Sequence, residues 1–160
     1  MNFEKPMKES YVEMTEVVLP NDTNPHGTIF GGKVAQWVDI AGSISAIRHC
    51  RMTVVTASMG QLDFLSPVKV GQILILRSQV VYVGNTSMEV QVNIFSEDPL
   101  SGNRQKTGTA YLTYVALDGS GNRVRVPRLI PETEEEKNLL ELGEKIYSER
   151  RKQKFNENLE

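Results

Sequence analysis

Residues 20–49 of this 160-residue chain read PNDTNPHGTIFGGKVAQWVDIAGSISAIRH. The first ten of these positions contain two prolines, two asparagines and one aspartate, a composition typical of a turn. Residues 30–49 contain no proline, and their apolar side chains recur at helical spacing. The stretch therefore predicts a polar, glycine-rich turn followed by a long helix.

The helix carries apolar side chains around most of its circumference and one carboxylate, Asp39, in its middle. A helix that is apolar almost all round is a buried helix, so we expect a curved sheet to wrap around it. Small or polar residues lie within about 60° of Asp39 on the helical wheel, namely Gly32, Ala35, Gln36, Gly42, Ser43 and Ala46. Small residues let another backbone or a slim ligand come close to the carboxylate.

An ionised carboxylate in an apolar setting costs several kcal/mol unless it is paired, hydrogen-bonded or neutralised. A chain that places Asp39 in such a setting uses it for chemistry or holds it with a specific partner. In the second interpretation, the small-residue face packs against a symmetry mate and Asp39 forms a hydrogen bond across that interface. Spacing alone leaves both interpretations open.

Around the helix, five segments have β-strand composition: residues 11–19, 54–64, 72–83, 87–96 and 106–117. The loops that join the last four segments are short, which favours an antiparallel meander. An acidic start and a basic end, with one apolar stripe between them, predict a C-terminal helix over about 132–153. The sequence therefore predicts a single α+β domain over residues 1–160, with a core over about 11–131.

Bulk properties exclude several classes of function. The net charge is −2, with no large block of one sign before residue 130, so a nucleic-acid partner is not expected. Cys50 is the one cysteine, which predicts a free buried thiol in a reducing compartment. Two histidines, His26 and His49, are too few for the usual zinc sites. With no signal-peptide pattern and no long apolar run, the expectation is a soluble cytoplasmic protein without a membrane span.

One constellation resembles a known family. Asn24, Gly27, Gly31 and Gly32, followed by Asp39, match the pattern of the hotdog-fold acyl-CoA thioesterases. The resemblance is to the short bacterial acyl-CoA hydrolases and the related two-domain cytosolic enzymes of animals. Segments 63–72 and 83–90 also resemble that family, so the likeness covers about residues 11–131. It implies the hotdog fold, in which a curved antiparallel sheet wraps around a long central helix.

The resemblance also implies an activity, the hydrolysis of fatty acyl-CoA to free fatty acid and coenzyme A. In such enzymes two units pair along their sheet edges, so that Asp39 of one subunit would face Asn24 of the other. Asp39 would act as general base or as nucleophile, and Asn24 would orient the water or the thioester. Backbone N–H groups at Gly31 and Gly32 would form the oxyanion hole. The expected partners are the acyl-CoA substrate and a second copy, in a homodimer or a trimer of dimers.

For coenzyme A, the resemblance points to Gly84, Thr86 and Ser87, although spacing alone is explained by a two-residue hairpin turn at residues 84–85. Basic side chains must meet the phosphates, and the sequence offers five candidates without a choice among them: Lys69, Arg77, Arg104, Arg123 and Arg128. No metal or separate cofactor is expected, because coenzyme A is part of the substrate.

Other functions fit the residues less well. Gly31-Gly32-Lys33 lacks the Ser or Thr that a phosphate-binding P-loop needs next, and no Gly-x-Ser-x-Gly elbow is present. A hotdog hydratase or dehydratase would place a catalytic histidine beside the acid, whereas His26 lies in the turn. A non-catalytic acyl-CoA sensor would keep the pocket but could dispense with Asp39. The hydratase and the sensor remain the alternatives.

Overall fold

The elements of the fold are taken from a computed structural model that describes residues 3–60 and 62–159. Gln61, within the predicted strand 54–64, and residues 1, 2 and 160 lie outside the described part. The strands are β1 (Glu4–Pro6), β2 (Val12–Val17), β3 (Thr53–Met59), β4 (Asp63–Phe64), β5 (Ile73–Val83), β6 (Ser87–Glu97), β7 (Arg104–Leu117) and β8 (Arg128–Ile130). The helices are α1 (Gly31–Cys50) and α2 (Glu134–Glu157), and single 3-10 turns cover Met7–Ser10 and Pro20–Asp22.

The main sheet is antiparallel, with strand order β2-β5-β6-β7-β3, and β4 extends the pairing of β3 along β7. The predicted meander is correct for β5, β6 and β7 but wrong for β3, which lies at the far edge rather than beside β5. Because both β3 and β4 pair with β7, the chain after Phe64 has to pass to the other side of the meander. The short parallel pair β1–β8 forms a separate ribbon that the sequence did not predict.

Helix α1 lies against the concave face of the sheet. Val34, Val38 and Ala41 are fully or almost fully buried in the core with alternate residues of β5, β6 and β7. The exposed stripe of the helix includes Ile40 and Ile47, which are 41% and 40% exposed. The expectation of a helix buried almost all round is therefore wrong for this stripe in the single chain.

The C-terminal end of α1 is fixed to the segment before β8. His49 is fully buried, and its Nε2 lies 2.7 Å from the carbonyl oxygen of Pro127. Burial lowers the pKa of His49, against the raising effect of that hydrogen bond, so the ring is neutral and Nε2–H is the donor. Cys50 beside it is buried, as expected, and burial raises the pKa of its thiol.

Helix α2 packs on the sheet face opposite α1. In β6, Met88 and Val90 point into the core, and Ser87 and Glu89 alternate with them and meet α2. Gly143 allows the backbone of α2 to approach β5 closely, since a Cβ there would lie 2.8 Å from the Val81 side chain. The helix starts at the Thr133 cap and continues to Glu157, beyond the predicted end at 153.

Neither α1 nor α2 is long and apolar enough to cross a membrane, and the described residues contain no other helix that meets this condition.

Candidate active site

Asp39 lies in the middle of α1, half-buried beside the edge strand β3. Its Oδ1 accepts two hydrogen bonds, from the Thr56 hydroxyl at 2.8 Å and from the Tyr114 hydroxyl at 2.8 Å. The Tyr114 hydroxyl also lies 2.9 Å from the main-chain oxygen of Asp39. The carboxylate is therefore held within its own chain by two hydroxyl groups.

Tyr114 is fully buried, and its hydroxyl is the part that reaches the site. Burial raises the pKa of Tyr114, and the hydrogen bond to Asp39 and the charge of its carboxylate raise it further. The phenol thus remains protonated over the working range and can act only as a donor to the carboxylate.

Gly42 makes the space that this hydroxyl occupies. A Cβ at Gly42 would come within 2.6 Å of the Tyr114 oxygen and 3.2 Å of its ring. The interpretation that the small residues around Asp39 admit another backbone or a ligand is therefore wrong for Gly42, which admits a side chain of the same chain. At Gly32, by contrast, a Cβ would meet nothing within 4 Å.

Thr56 and Tyr114 are site residues that the sequence analysis missed. They are direct partners across the β3–β7 ladder. This register places both hydroxyls over one turn of α1, although Tyr114 is 75 residues from Asp39 along the chain. A signal for them would need the strand pairing, which short-range patterns do not contain.

Asn24 shapes the turn before α1. Its Oδ1 accepts hydrogen bonds from the main-chain N–H groups of His26 and Thr28, at 2.9 and 3.3 Å, and its Nδ2 donates to the Thr28 hydroxyl at 2.8 Å. These contacts occupy Oδ1 of the Asn24 side-chain amide and one of the two hydrogens on its Nδ2. The second Nδ2 hydrogen remains available to donate to a ligand. The single chain shows no hydrogen bond between Asn24 and Asp39 among its described residues.

The start of α1 leaves backbone donors without intrahelical partners. Phe30 is the N-cap and makes no side-chain capping bond. The N–H groups of Gly31 and Gly32 have no carbonyl four residues back within the helix, so they can donate to water or a ligand. Gly31 has the Phe64 ring as a neighbour, 3.7 Å from where its Cβ would be, and both glycines are exposed. The structure therefore presents these two N–H groups at the surface.

A second feature lies at the β5–β6 turn, where α2 meets the sheet. A cleft of about 270 Å³ is bordered by Thr86, Ser87 and Thr113, with basic side chains on its rim: Arg123, Arg150, Arg151 and Lys154. We call it the basic cleft. The Ser87 hydroxyl lies 2.7 Å from the Tyr147 hydroxyl. Gly84 lies behind this contact, since a Cβ there would meet both hydroxyl oxygens at 2.8 Å.

Of the five basic residues proposed from the sequence, Arg123 lines the basic cleft. Arg77 forms an ion pair with Glu13 and Arg104 forms one with Glu97. The three basic residues that α2 contributes to the cleft were missed, because nothing in the sequence shows which part of the sheet this helix covers.

The guanidinium group of Arg150 contacts side chains of the sheet. Its Nη2 lies 2.9 Å from Oε1 of Glu89, and its Nη1 donates to the hydroxyls of Thr113 and Ser58 at 2.6 and 3.1 Å. Glu89 is fully buried, and burial raises its pKa to about 7 even though the Thr113 hydroxyl and Arg150 act to lower it. This buried pair fixes α2 to the sheet.

The residues described by the structure contain no group of three or more His, Cys, Asp and Glu side chains placed to hold a metal ion.

Comparison with known proteins identifies the family. The thioesterase superfamily model matches residues 26–102. The chain is 50% identical over 129 residues to the uncharacterized acyl-CoA thioester hydrolase YkhA of Bacillus subtilis (strain 168), covering 81% of this chain and 75% of that protein.

Solved structures agree. The acyl-CoA hydrolase of Staphylococcus aureus in complex with butyryl coenzyme A, coenzyme A and coenzyme A disulfide is 36% identical, with TM-score 0.92 over 98% of this chain and 95% of that chain. An apo-hexameric acyl-CoA thioesterase is 43% identical, with TM-score 0.89 over 94% of this chain and 96% of that one. Mutants of the S. aureus enzyme replace an asparagine, a threonine and an aspartate by alanine. The likeness extends over nearly the whole chain and includes its curved sheet and both helices, so this chain belongs to the acyl-CoA thioester hydrolases of the thioesterase superfamily.

Proposed function

We propose that this chain hydrolyses acyl-CoA thioesters to free fatty acid and coenzyme A, with Asp39 as the reacting carboxylate. The observation that carries the assignment of Asp39 is its geometry: a half-buried carboxylate held by two hydroxyls in the middle of α1. The residue types replaced in the S. aureus mutants, asparagine, aspartate and threonine, are those of Asn24, Asp39 and Thr56. The test is thiol release from acyl-CoAs of increasing chain length, with wild type and Asp39→Asn side by side.

Hydrolysis breaks the bond between acyl carbon and sulfur and forms one between the acyl carbon and a water oxygen. As a general base, Asp39 takes a proton from the attacking water, and the departing sulfur receives a proton when the tetrahedral intermediate collapses. As a nucleophile, Asp39 displaces coenzyme A and forms a mixed anhydride, which water then hydrolyses. Both routes place negative charge on the thioester oxygen. In the dimer proposed below, the N–H groups of Gly31 and Gly32 and the remaining Asn24 N–H would come from the other subunit and are suited to stabilise that charge.

Gly32→Ala separates this role from a role in folding. No atom of the described residues lies within 4 Å of a methyl group at this position, and alanine is a better helix former than glycine by about 1 kcal/mol. We expect unchanged or slightly higher stability together with a kcat for thiol release lowered by about 10-fold or more, because the methyl group obstructs the approach of the thioester to the helix start. Chemical denaturation and steady-state kinetics measure the two effects, with Gly119→Ala, in a distant loop, as control. Full activity in a well-folded Gly32→Ala protein would exclude the proposed oxyanion site.

The basic cleft fits the phosphates of coenzyme A. Thr86 and Ser87 supply hydroxyls, and Arg123, Arg151 and Lys154 supply positive charge at the rim. Arg150 already contacts Glu89, Thr113 and Ser58 and is therefore the weakest candidate for phosphate binding. Arg and Lys side chains are the usual partners of phosphate groups. The support for a role of Gly84 in coenzyme A binding is indirect. Because Gly84 has no side chain, the Ser87 and Tyr147 hydroxyls can meet and form one wall of the basic cleft.

Self-assembly through β3 would complete the site. The strand is the outer edge of the sheet and carries exposed Val55 and Met59, and Ile40 and Ile47 are exposed on α1. An exposed apolar edge strand pairs readily with another chain. A related thioesterase is hexameric. We propose a homodimer in which β3 strands pair and Asn24 of one subunit serves Asp39 of the other, with three such dimers in a hexamer.

Subunit complementation tests this arrangement. Asn24→Ala and Asp39→Ala chains should each be nearly inactive alone. If the two residues of one site come from different subunits, co-refolded mixtures contain heterodimers with one intact site, and activity recovers to about a quarter of wild type. If both residues come from one subunit, the mixture stays as inactive as its components. Size-exclusion chromatography of each sample shows that assembly is unchanged.

The alternatives fit less well. A hydratase needs a histidine beside the acid, but His49 is ten residues from Asp39, about 15 Å along the helix, and it is bound to Pro127. A sensor would bind acyl-CoA tightly and release no thiol with either wild type or Asp39→Asn. A cytoplasmic location is part of the proposal and is consistent with the free, buried thiol of Cys50.

A further inference from the structure

The two hydroxyls that hold Asp39 contact the same oxygen. Thr56 and Tyr114 both donate to Oδ1 at 2.8 Å. Within residues 3–60 and 62–159, no hydrogen bond reaches Oδ2. The two oxygens of the carboxylate are therefore unequal, one bound twice and the other available to substrate or water.

Tyr114 is placed to fix this asymmetry. Its ring is packed in the core with no exposed surface, so its hydroxyl has little freedom to move away. The same hydroxyl lies 2.9 Å from the main-chain oxygen of Asp39, so Tyr114 contacts both the side chain and the main chain of this residue. Thr56, in contrast, is an exposed residue on the edge strand. Gly42 is needed for this contact, since any Cβ would overlap the hydroxyl at 2.6 Å.

We infer that Tyr114 is a positioning residue for catalysis, which holds Asp39 at Oδ1 and leaves Oδ2 as the oxygen that takes the proton or attacks the thioester. The inference rests on the role proposed for Asp39. Tyr114 acts through Asp39 and does not touch the substrate.

Tyr114→Phe removes one oxygen atom and keeps the ring packing. We expect kcat for thiol release to fall by about 10-fold with little change in KM, because a hydrogen bond to a charged group is lost while the substrate-binding residues are unchanged. A purely structural role would lower stability and the amount of folded enzyme without lowering kcat per folded active site.

Two further variants make the test decisive. Gly42→Ala should also lower kcat, because the methyl group displaces the hydroxyl while tyrosine remains. In an Asp39→Asn background, Tyr114→Phe should change the residual rate by less than about 2-fold, because the two residues act as one unit. Wild-type kcat in a folded Tyr114→Phe enzyme, or an equal loss of rate in the Asp39→Asn background, would overturn the inference alone. Near-normal activity of Asp39→Asn would instead overturn the role proposed for Asp39.

Discussion

Asp39→Asn is expected to lower kcat for thiol release from acyl-CoA by about 10²–10⁴-fold, the usual contribution of a positioned acid–base group. Asparagine has nearly the same shape and retains an oxygen that can accept from Thr56 and Tyr114, so folding and assembly should persist. The change removes the negative charge and the basicity. Because the basic cleft is untouched, KM should change far less than kcat.

The control measurements for this prediction test whether the variant still folds and assembles. Asp39→Asn should have the unfolding midpoint and the elution volume of the wild type, so that lost turnover is not lost protein. A rate within a few-fold of wild type would contradict the assignment. With the active enzyme, rapid mixing separates the two routes: a burst of coenzyme A release indicates a covalent anhydride, and a linear onset favours the general base.

Arg150→Met is expected to have the largest effect on stability. The Arg150 guanidinium pairs with Glu89, a fully buried carboxylate, and its removal leaves that charge without its ionic partner. Breaking such a buried pair from one side costs about 3–5 kcal/mol. We therefore expect the free energy of unfolding to fall by that amount at pH 8, where Glu89 of the wild type is ionised, measured by chemical denaturation at fixed protein concentration.

Lys152→Met is the matched control for Arg150→Met. It removes one positive charge from an exposed site on the same helix and should change stability by less than about 0.5 kcal/mol. The double variant Glu89→Met/Arg150→Met should recover most of the loss, because well-packed apolar residues replace buried ion pairs at little cost. Equal effects of Arg150→Met and Lys152→Met would show that the pair does not hold α2.

The loss in Arg150→Met should also depend on pH. Burial raises the pKa of Glu89 from 4.5 to about 7. A carboxyl with a higher pKa in the folded state binds its proton more tightly there, so its contribution to stability falls as pH rises from about 4.5 to 7. Without Arg150 that pKa rises further. The difference between Arg150→Met and wild type should therefore be larger at pH 8 than at pH 5.5.

Local patterns predicted the parts of the molecule that local physics governs. The predicted helix over residues 30–49 is observed at Gly31–Cys50, because no proline interrupts this stretch and its apolar side chains recur at helical spacing. The acidic start of the C-terminal segment predicted the start of α2 at about residue 132, within two residues of its observed start at Glu134. The resemblance to the thioesterases gave the family, the fold and the activity, and it selected Asn24, Asp39, Gly31 and Gly32, whose roles remain predictions.

The sequence by itself determined which residues of each element share a face. It also determined that a polar turn is followed by the helix α1 and that this helix carries a single carboxylate. Tertiary structure alone decided that β3 lies beside β7, that Thr56 and Tyr114 meet at Oδ1 of Asp39, and that Arg150 reaches Glu89 from 61 residues away. The physical reason is that periodicity reports the orientation of side chains within an element. Which elements become neighbours, and in which register, depends on long-range packing of the whole core.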